Sequence, residues 1–398
     1  MAKKSDPAAR LPLVTVSSRG AARLKSGHPW VYRSDISAAD GIPPGALVTL
    51  ADPKGRPLGT ALYSSSSQIA VRLLGPCPVE HFPDLLRQRI RQAIAYRKLV
   101  VHHTDAYRVV FSEADFLPGL IIDRYNDLLS IQILTQAMDS ILARSAMVSE
   151  LEAQLSPAAI AERVEVRVRQ LEQLPERESG LLRGKKTETT FTMNGVRFEY
   201  SALQGQKTGA FLDQRENYAA AEQYAHGQAL DVFCYQGGFA LHLARRCPHV
   251  IGIDSSRPAL EIADQNASMN GREIEWIEAN AFDLLKDYAA SGHQYDTVVL
   301  DPPAFAKSQR NLDTALRGYK ELNLRALKML RPGGILVSCS CSYHVSQSDL
   351  LDVISSAAID VHKSVRILEM RGQSRDHPVL LGVPETNYLK AAICHVKS

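Results

Sequence analysis

The chain has 398 residues, a net charge of +3, 45% hydrophobic and 22% charged side chains. This balance excludes a disordered chain and a uniformly polycationic one, and leaves room for two or three domains. No apolar run could span a membrane and no apolar leader opens the chain, so a cytoplasmic protein with no membrane partner is expected; the six cysteines form no C-x-x-C pair, so neither a disulfide framework nor a metal is expected.

Residues 11–80 read as a small β-rich domain. Leu13 to Val16 is a strand, and residues 18–26 are a short basic helical turn closing at Gly27. Ala46 to Leu50, Leu58 to Tyr63 and Ile69 to Leu74 are further strands, with Asp52-Pro-Lys-Gly55 as a hairpin turn. Short strands at this pitch suggest a small barrel. Arg19, Arg23, Lys25, His28 and Arg33 gather around Trp30 and Tyr32, a mixture able to bind RNA backbone and bases. The plainer alternative puts Trp30 in the core and the charges in solvent.

Residues 82–195 read as a central α+β segment with no chemistry of its own. A helix over 82–103 carries Leu85, Leu86, Ile90, Ile94 and Leu99 on its apolar side. Strands follow at Tyr107 to Phe111, Leu120 to Asp123 and Leu128 to Leu134, then a helix from Met138 to Leu155. Alternating Val164, Val166 and Val168 predict a half-exposed strand over Ala161 to Arg169, and residues 170–190 predict a loop.

From residue 196 the pattern becomes α/β, beginning with a strand at Val196 to Tyr200. A helix near 214–225 leads to Ala229-Leu-Asp-Val-Phe-Cys-Tyr-Gln-Gly-Gly-Phe239, which reads as strand, small-residue turn and helix start. Gly237 and Gly238 are expected to let a ligand approach the backbone. The next strand ends in Asp254, 23 residues after Asp231, the distance at which nucleotide-binding α/β folds place an acid on ribose hydroxyls. The turn is not G-x-G-x-x-G and offers no run of donors to a pyrophosphate. That argues against a dinucleotide and for a nucleoside without phosphates, such as S-adenosylmethionine. Asn280, after a strand at Ile274 to Ile277, is either a reader of the adenine amino group or a turn residue.

Thr297 to Leu300 is a short apolar run suited to a strand buried on both faces. It stops at Asp301-Pro-Pro303, because neither proline can donate to a ladder. The carboxylate therefore stands at the carboxyl end of a parallel strand, where open α/β sheets bind ligands. A helix over 312–330, a Pro-Gly-Gly turn and a strand from Ile335 to Val337 then deliver Cys339 and Cys341 to the same edge. A helix over Ser348 to Ile359 and strands at Val365 to Met370 and Tyr388 to His395 close the chain.

This arrangement resembles a class I S-adenosylmethionine-dependent methyltransferase. More closely, the whole chain resembles the RlmI-like family of large-subunit (23S) ribosomal RNA cytosine-C5 methyltransferases. The resemblance is carried by Gly27-His-Pro-Trp-Val31, Lys207-Thr-Gly209, Asp213-Gln-Arg215, Gly237-Gly-Phe239, Asp301-Pro-Pro303, Arg317-Gly-Tyr-Lys320, Ser340-Cys-Ser342 and Tyr388-Leu-Lys390. It implies an α/β fold with a class I Rossmann-like methyltransferase domain over 196–398, preceded by a β-barrel PUA-like RNA-binding domain over 11–80 and a central α+β domain over 82–195. It implies Cys341 as catalytic nucleophile, with Asp301 beside it. The expected cofactor surface is Lys207, Thr208, Gly209, Asp231, Phe233, Gly237, Gly238, Phe239, Asp254, Asn280, Ala281, Phe282 and Asp301. The expected RNA contacts are Arg19, Arg23, Lys25, His28, Trp30 and Arg33. Two departures stand out: Asn280 replaces a frequent Asp, and Ala304 stands where some members carry Lys, leaving Lys307 as the nearest substitute. The implied partner is large-subunit ribosomal RNA or an assembly intermediate, with a homodimer left open.

The chemistry behind a nucleophilic cysteine is direct. C5 of cytosine is a weak nucleophile, and a thiolate adding at C6 makes it enamine-like. Cys339, two residues earlier, competes for the role; Cys234 is expected to pack in the cofactor turn. A guanine-N2 methyltransferase would keep Asp-Pro-Pro and need no thiol. A non-catalytic RNA-binding assembly factor would need neither.

Overall fold

The computed structural model of the protein describes residues 11–203, 210–306 and 308–397, whose strands fall into four sheets. The first contains six strands, ordered Trp30–Tyr32, Ile69–Gly75, Pro57–Tyr63, Leu47–Ala51, Leu13–Val16 and Ile36–Ala38. Val14, Val16, Val31, Val48, Leu50 and Val71 form its core with Leu24 of the helix Ser18–Lys25. That helix starts at Ser17, whose side chain accepts the Gly20 N–H and so satisfies one of the free donors of the first turn.

The second sheet runs Gly180–Gly184, Ala159–Glu162, Leu128–Ile133, Leu120–Tyr125 and Ala106–Phe111. Helices Phe82–Val100 and Ile141–Leu155 cover it through Leu86, Ile90, Ile94, Met147 and Leu151. Here the expected strand over 161–169 is overturned. The strand ends at Glu162, and Val166–Leu171 is a helix. The valine alternation misled because Val166 is 60% exposed, while the buried side chain is Arg169. Arg169 hydrogen-bonds the Pro175 carbonyl at 2.9 Å and pairs with Asp139, beside an Arg144–Glu162 pair. The expected loop over 170–190 contains the edge strand Gly180–Gly184 and the start of another.

A two-stranded hairpin follows, Glu188–Met193 with Val196–Ser201, turning at Asn194 (φ 52°) and Gly195 (φ 81°). Both turn residues are left-handed, as a tight Asn-Gly hairpin requires. Val196–Ser201 is thus not the first strand of the α/β unit, and the hairpin spans the boundary expected at 195/196. Its Phe191, Phe198 and Tyr200 share one core with Tyr125, Tyr218 and Phe239.

The fourth sheet carries the chemistry. Its strands in chain order are β1 (Gln228–Val232), β2 (His249–Asp254), β3 (Glu275–Glu278), β4 (Tyr295–Leu300), β5 (Leu330–Ser340), β6 (Ser364–Arg371) and β7 (Lys390–Lys397). The spatial order is β3-β2-β1-β4-β5-β7-β6, with β7 antiparallel to both neighbours. The order reverses between β1 and β4, so their carboxyl ends flank the crevice where such sheets bind ligands. The strands are fully buried at Leu230, Val232, Val298, Val299, Leu336 and Val337, which is why they read as continuous apolar runs.

Candidate active site

The cofactor half of the crevice is built from the ends of β1, β2 and β3. Asp254 ends β2, and both its oxygens accept main-chain N–H groups, Tyr235 at 2.9 Å and Ser256 at 2.9 Å. Asp231 lies wholly buried in β1 and accepts the Ala240 N–H at 2.8 Å through Oδ2. Its Oδ1 is buried with no hydrogen-bond partner among the described residues. Burial pushes its carboxyl up to about 8.

The turn after β1 is wound through left-handed positions at Phe233 (φ 67°), Tyr235 (φ 49°) and Gly237 (φ 83°), conformations kept only where surroundings enforce them. Its glycines also have a reason inside the protein. A Cβ at Gly237 would sit 2.9 Å from the Trp276 ring, and one at Gly238 would sit 2.5 Å from Tyr218. Both glycines make room for neighbouring aromatics of the protein itself. Phe239 is likewise packed in the core, 2% exposed and edge-on to Tyr218 at 4.7 Å. Asn280 is the N-cap of the helix Ala281–Ala290, its Oδ1 accepting from Phe282 N at 2.9 Å, a contact that the turn-residue alternative calls for. Ala281 is buried, and Phe282 is half-buried against Phe305 at 5.9 Å. Lys207, Thr208, Gly209 and Lys307 lie outside the described residues.

The thiol half is built from the ends of β4 and β5. Asp301 follows β4, and its N–H donates to the Val232 carbonyl at 3.2 Å, tying it to β1. Its Oδ1 accepts from Gln214 Nε2 at 2.9 Å. Gln214 belongs to Asp213-Gln-Arg215, which works as a hub. Asp213 Oδ2 accepts the Tyr388 hydroxyl at 2.6 Å, and Arg215 forks onto Asp376 at 3.0 and 3.1 Å.

Cys341 stands one residue beyond β5, half-exposed, with Sγ 3.8 Å from the Pro302 carbonyl. The serines on either side latch it in place. Ser340 Oγ donates to the Tyr319 hydroxyl at 3.0 Å, and Ser342 Oγ shares a hydrogen bond with the same hydroxyl at 3.1 Å. Ser342 Oγ also accepts the Ala306 N–H at 3.3 Å, fastening this loop to the one after Pro303. Cys339 is different: it is wholly buried, and burial, then the nearby Asp301 charge, push its thiol well above the ordinary value. A thiol so disfavoured as thiolate is a poor nucleophile. Cys234 is buried in the cofactor turn, as expected.

The basic cluster of the N-terminal domain is partly used inside the protein. Trp30 Nε1 donates to Glu113 Oε1 at 3.0 Å, and His28 Nε2 lies 3.6 Å from Glu385 Oε2. Arg33 donates to the Ser64 and Ser67 carbonyls, and Arg19 and Arg23 both hold Asp35. Lys25 and Arg19 remain exposed, and Arg23 lies over the Tyr32 ring at 4.5 Å.

The residues missed from sequence are Gln214, Tyr319 and Lys390. Each sat inside a motif that had been noticed only as a resemblance: Asp213-Gln-Arg215, Arg317-Gly-Tyr-Lys320 and Tyr388-Leu-Lys390.

Sheet order, strand-end acids and cofactor turn define a class I methyltransferase that depends on S-adenosylmethionine. Residues 120–379 match the S-adenosylmethionine-dependent methyltransferase family, and residues 14–76 match the PUA-like domain. Two solved structures share the fold at 20% identity over 96% of this chain and 99% of theirs: SMU.776 complexed with SAH, at a TM-score of 0.82, and one named as a SAM-dependent methyltransferase from Streptococcus mutans, at 0.81. Among curated relatives, Ribosomal RNA large subunit methyltransferase I of Photobacterium profundum is 36% identical, covering 94% of this chain and 96% of its own length. The proteins of that name from Pseudoalteromonas translucida (94% and 96%) and Tolumonas auensis (92% and 94%) are 35% and 36% identical. The chain belongs to the ribosomal RNA large subunit methyltransferase I family.

The residues present fit the cofactor. An anchored acid at the tip of β2 suits ribose hydroxyls. The orphaned Asp231 Oδ1 leaves a buried polar atom in want of a partner, and Phe282 offers an apolar wall.

Proposed function

We propose that this protein methylates C5 of a cytosine in large-subunit ribosomal RNA, with Cys341 as nucleophile. The observation that carries the reading is the contrast between two thiols two residues apart. Cys341 is half-exposed, latched by Ser340 and Ser342, and against the Asp301-Pro-Pro loop; Cys339 is sealed in the sheet. The relatives' name supports the RNA.

In this reading Asp254 and Asp231 hold S-adenosylmethionine, with Phe233, Ala281 and Phe282 along the same groove. When bound, the cofactor supplies an electrophilic methyl group. Asp301, steadied by Gln214, receives the Watson–Crick edge of a base turned out of its stack. The Cys341 thiolate adds to C6, forming the S–C6 bond and moving the C5=C6 electron pair onto C5. Once C5 carries the methyl group, its proton passes to a base, the C5=C6 bond re-forms, and the thiolate leaves. Arg19, Arg23 and Lys25 form the more open part of the RNA-binding face; His28 and Trp30 tie that face to Glu385 and Glu113, and Arg33 braces it on Ser64 and Ser67 within the same domain. The substrate is the naked RNA or an assembly intermediate.

The test is methyl transfer from labelled S-adenosylmethionine to large-subunit RNA and to assembly intermediates, with nucleosides identified by mass spectrometry. Wild type should yield 5-methylcytidine, and Cys341→Ala should lose at least about a thousand-fold in rate. A methylguanosine product, or an active Cys341→Ala variant, overturns the thiol reading.

A further inference from the structure

A nucleophilic thiol at this edge works only as a thiolate, and its surroundings decide how readily it ionises. Asp301 adds negative charge to the same cleft: its influence is felt at Cys339 and at Tyr319, which also feel Cys341. A carboxylate nearby opposes thiolate formation, so a nucleophile at position 341 needs a compensating cation.

The structure supplies one on β7. Lys390 is the Cα partner of Ser340 in the β5–β7 pairing. Its Nζ reaches along β5 and donates to the Ser342 carbonyl at 2.7 Å, and to the Tyr388 carbonyl at 2.9 Å. An ammonium whose backbone faces residue 340 and whose tip binds residue 342 lies alongside the peptide of Cys341. It is only 7% exposed, so its charge is weakly screened. Its two acceptors are neutral carbonyls, and an ammonium has three protons to give.

We propose that Lys390 is the positioning residue that holds Cys341 as a thiolate, through its charge and through the fixed Ser342 carbonyl. The thiol proton passes to solvent and the Lys390 ammonium keeps its own, so Lys390 acts through its field and not as a proton relay. This rests on the reading of Cys341 as nucleophile and extends it.

The surroundings of Lys390 are consistent with this. Burial lowers its ammonium to about 8, still mostly protonated at neutral pH, and Cys341 is foremost among the groups that favour its charge, followed by Asp349. Among the described residues, the other titratable groups around the pair include Asp301, Cys339, Tyr319 and Tyr388. Cys339 and Tyr319 are both shifted upward, so they stay neutral at working pH. Among the described residues, Asp301 and Asp349 bring negative charge to this region, and Lys390 feels Asp349 directly.

The experiment follows carboxamidomethylation of Cys341 by iodoacetamide from pH 5 to pH 10, read by peptide mass spectrometry so that the exposed Cys77 is counted apart. Wild-type Cys341 should titrate below the ordinary thiol value of about 8.5. Lys390→Gln keeps an amide donor for the Ser342 carbonyl but no charge, and should raise the midpoint by about one unit or more. Lys390→Arg keeps the charge and should fall nearer wild type. Cofactor affinity measured alongside reports whether each variant is folded.

A wild-type midpoint at or above the ordinary value overturns the inference without any variant. So does a folded Lys390→Gln protein that titrates like wild type. The two readings fail separately. An active Cys341→Ala enzyme removes the nucleophile but leaves a Lys390-dependent midpoint standing. A Lys390-independent midpoint removes the inference but leaves Cys341 essential.

Discussion

The two halves of the sheet edge are assembled in opposite ways. In the cofactor half, each acid is held by main-chain N–H groups close in sequence: Ala240 is nine residues from Asp231, and Ser256 and Tyr235 are two and 19 from Asp254. In the thiol half, the partners come from far along the chain. Gln214 is 87 residues from Asp301, Lys390 is 48 from Ser342, and Tyr319 comes from the helix Leu312–Met329. A cofactor used by every member of a large class can be held by a compact local device. A nucleophile aimed at one base needs elements that only the finished tertiary structure brings together. The comparison predicts that distant substitutions damage the thiol half while local ones decide the cofactor half.

The largest effect is expected at the far end of the hub. Arg215 and Asp376 are both essentially inaccessible, and Asp376 Oδ2 also accepts the Arg108 N–H at 2.8 Å, while its carbonyl accepts from Arg97 at 2.8 Å. This one loop therefore joins the central sheet to the segment that carries Gln214. Arg215→Met removes one buried partner of this carboxylate, leaving His377 and the Arg108 N–H, and should cost about 3 kcal/mol in urea unfolding. The pH dependence carries a signature. Burial alone would raise the Asp376 carboxyl, but His377, Arg215 and the Arg108 N–H hold it well below the usual carboxylate range. A depressed acid contributes stability above its unfolded value of about 4 and loses it as pH falls further. The gap between wild type and Arg215→Met should therefore narrow below about pH 4. A gap that is constant with pH would mean the pair is not what the variant disrupts.

Gln214 gives the next effect and the sharpest division between the halves. It steadies Asp301 without reaching the tips of β2 and β3. Losing a hydrogen bond to a carboxylate is worth about 1.5–3 kcal/mol, so Gln214→Ala should slow methyl transfer by about ten- to hundred-fold. Cofactor affinity, measured by calorimetry, should change by less than about three-fold, or under 1 kcal/mol. An equal loss in both would place Gln214 in the cofactor half and erase the division.

What could be read from sequence follows the same line. Asp254, Asp301-Pro-Pro303 and Cys341 announce themselves because strand, terminator and functional side chain are contiguous. Gln214, Tyr319 and Lys390 lie inside helices, strands or short turns whose local pattern says only that they are polar. Their meaning depends on the β4–β5–β7 pairing. The hairpin at 188–201 was legible and overlooked: Asn194-Gly195 between two alternating runs is a strong local turn signal. The strand expected over 161–169 failed for the opposite reason. Its valines alternate, but a buried ion-pair cluster around Arg169 and Asp139 decides the backbone. The RNA face was read as one surface, whereas Trp30 and Arg33 have internal hydrogen-bond partners that only folding supplies.

The smallest effect tests the cofactor half at Asn280, where sequence left two roles open. Its Oδ1 caps the helix Ala281–Ala290, accepting from Phe282 and Asp283. If capping is its work, Asn280→Ala should cost about 1 kcal/mol in thermal or urea unfolding, and Asn280→Asp should recover it, because a carboxylate caps equally well and favours the positive end of the helix. Cofactor affinity should then track the fold and differ little between the two variants at saturating stability. If Asn280 instead reads the adenine amino group, it does so through Oδ1, an acceptor that Asp keeps and Ala loses. Affinity of the folded protein would then fall in Ala and hold in Asp, beyond anything the lost stability explains. The two variants together separate a residue that shapes the groove from one that touches what binds in it.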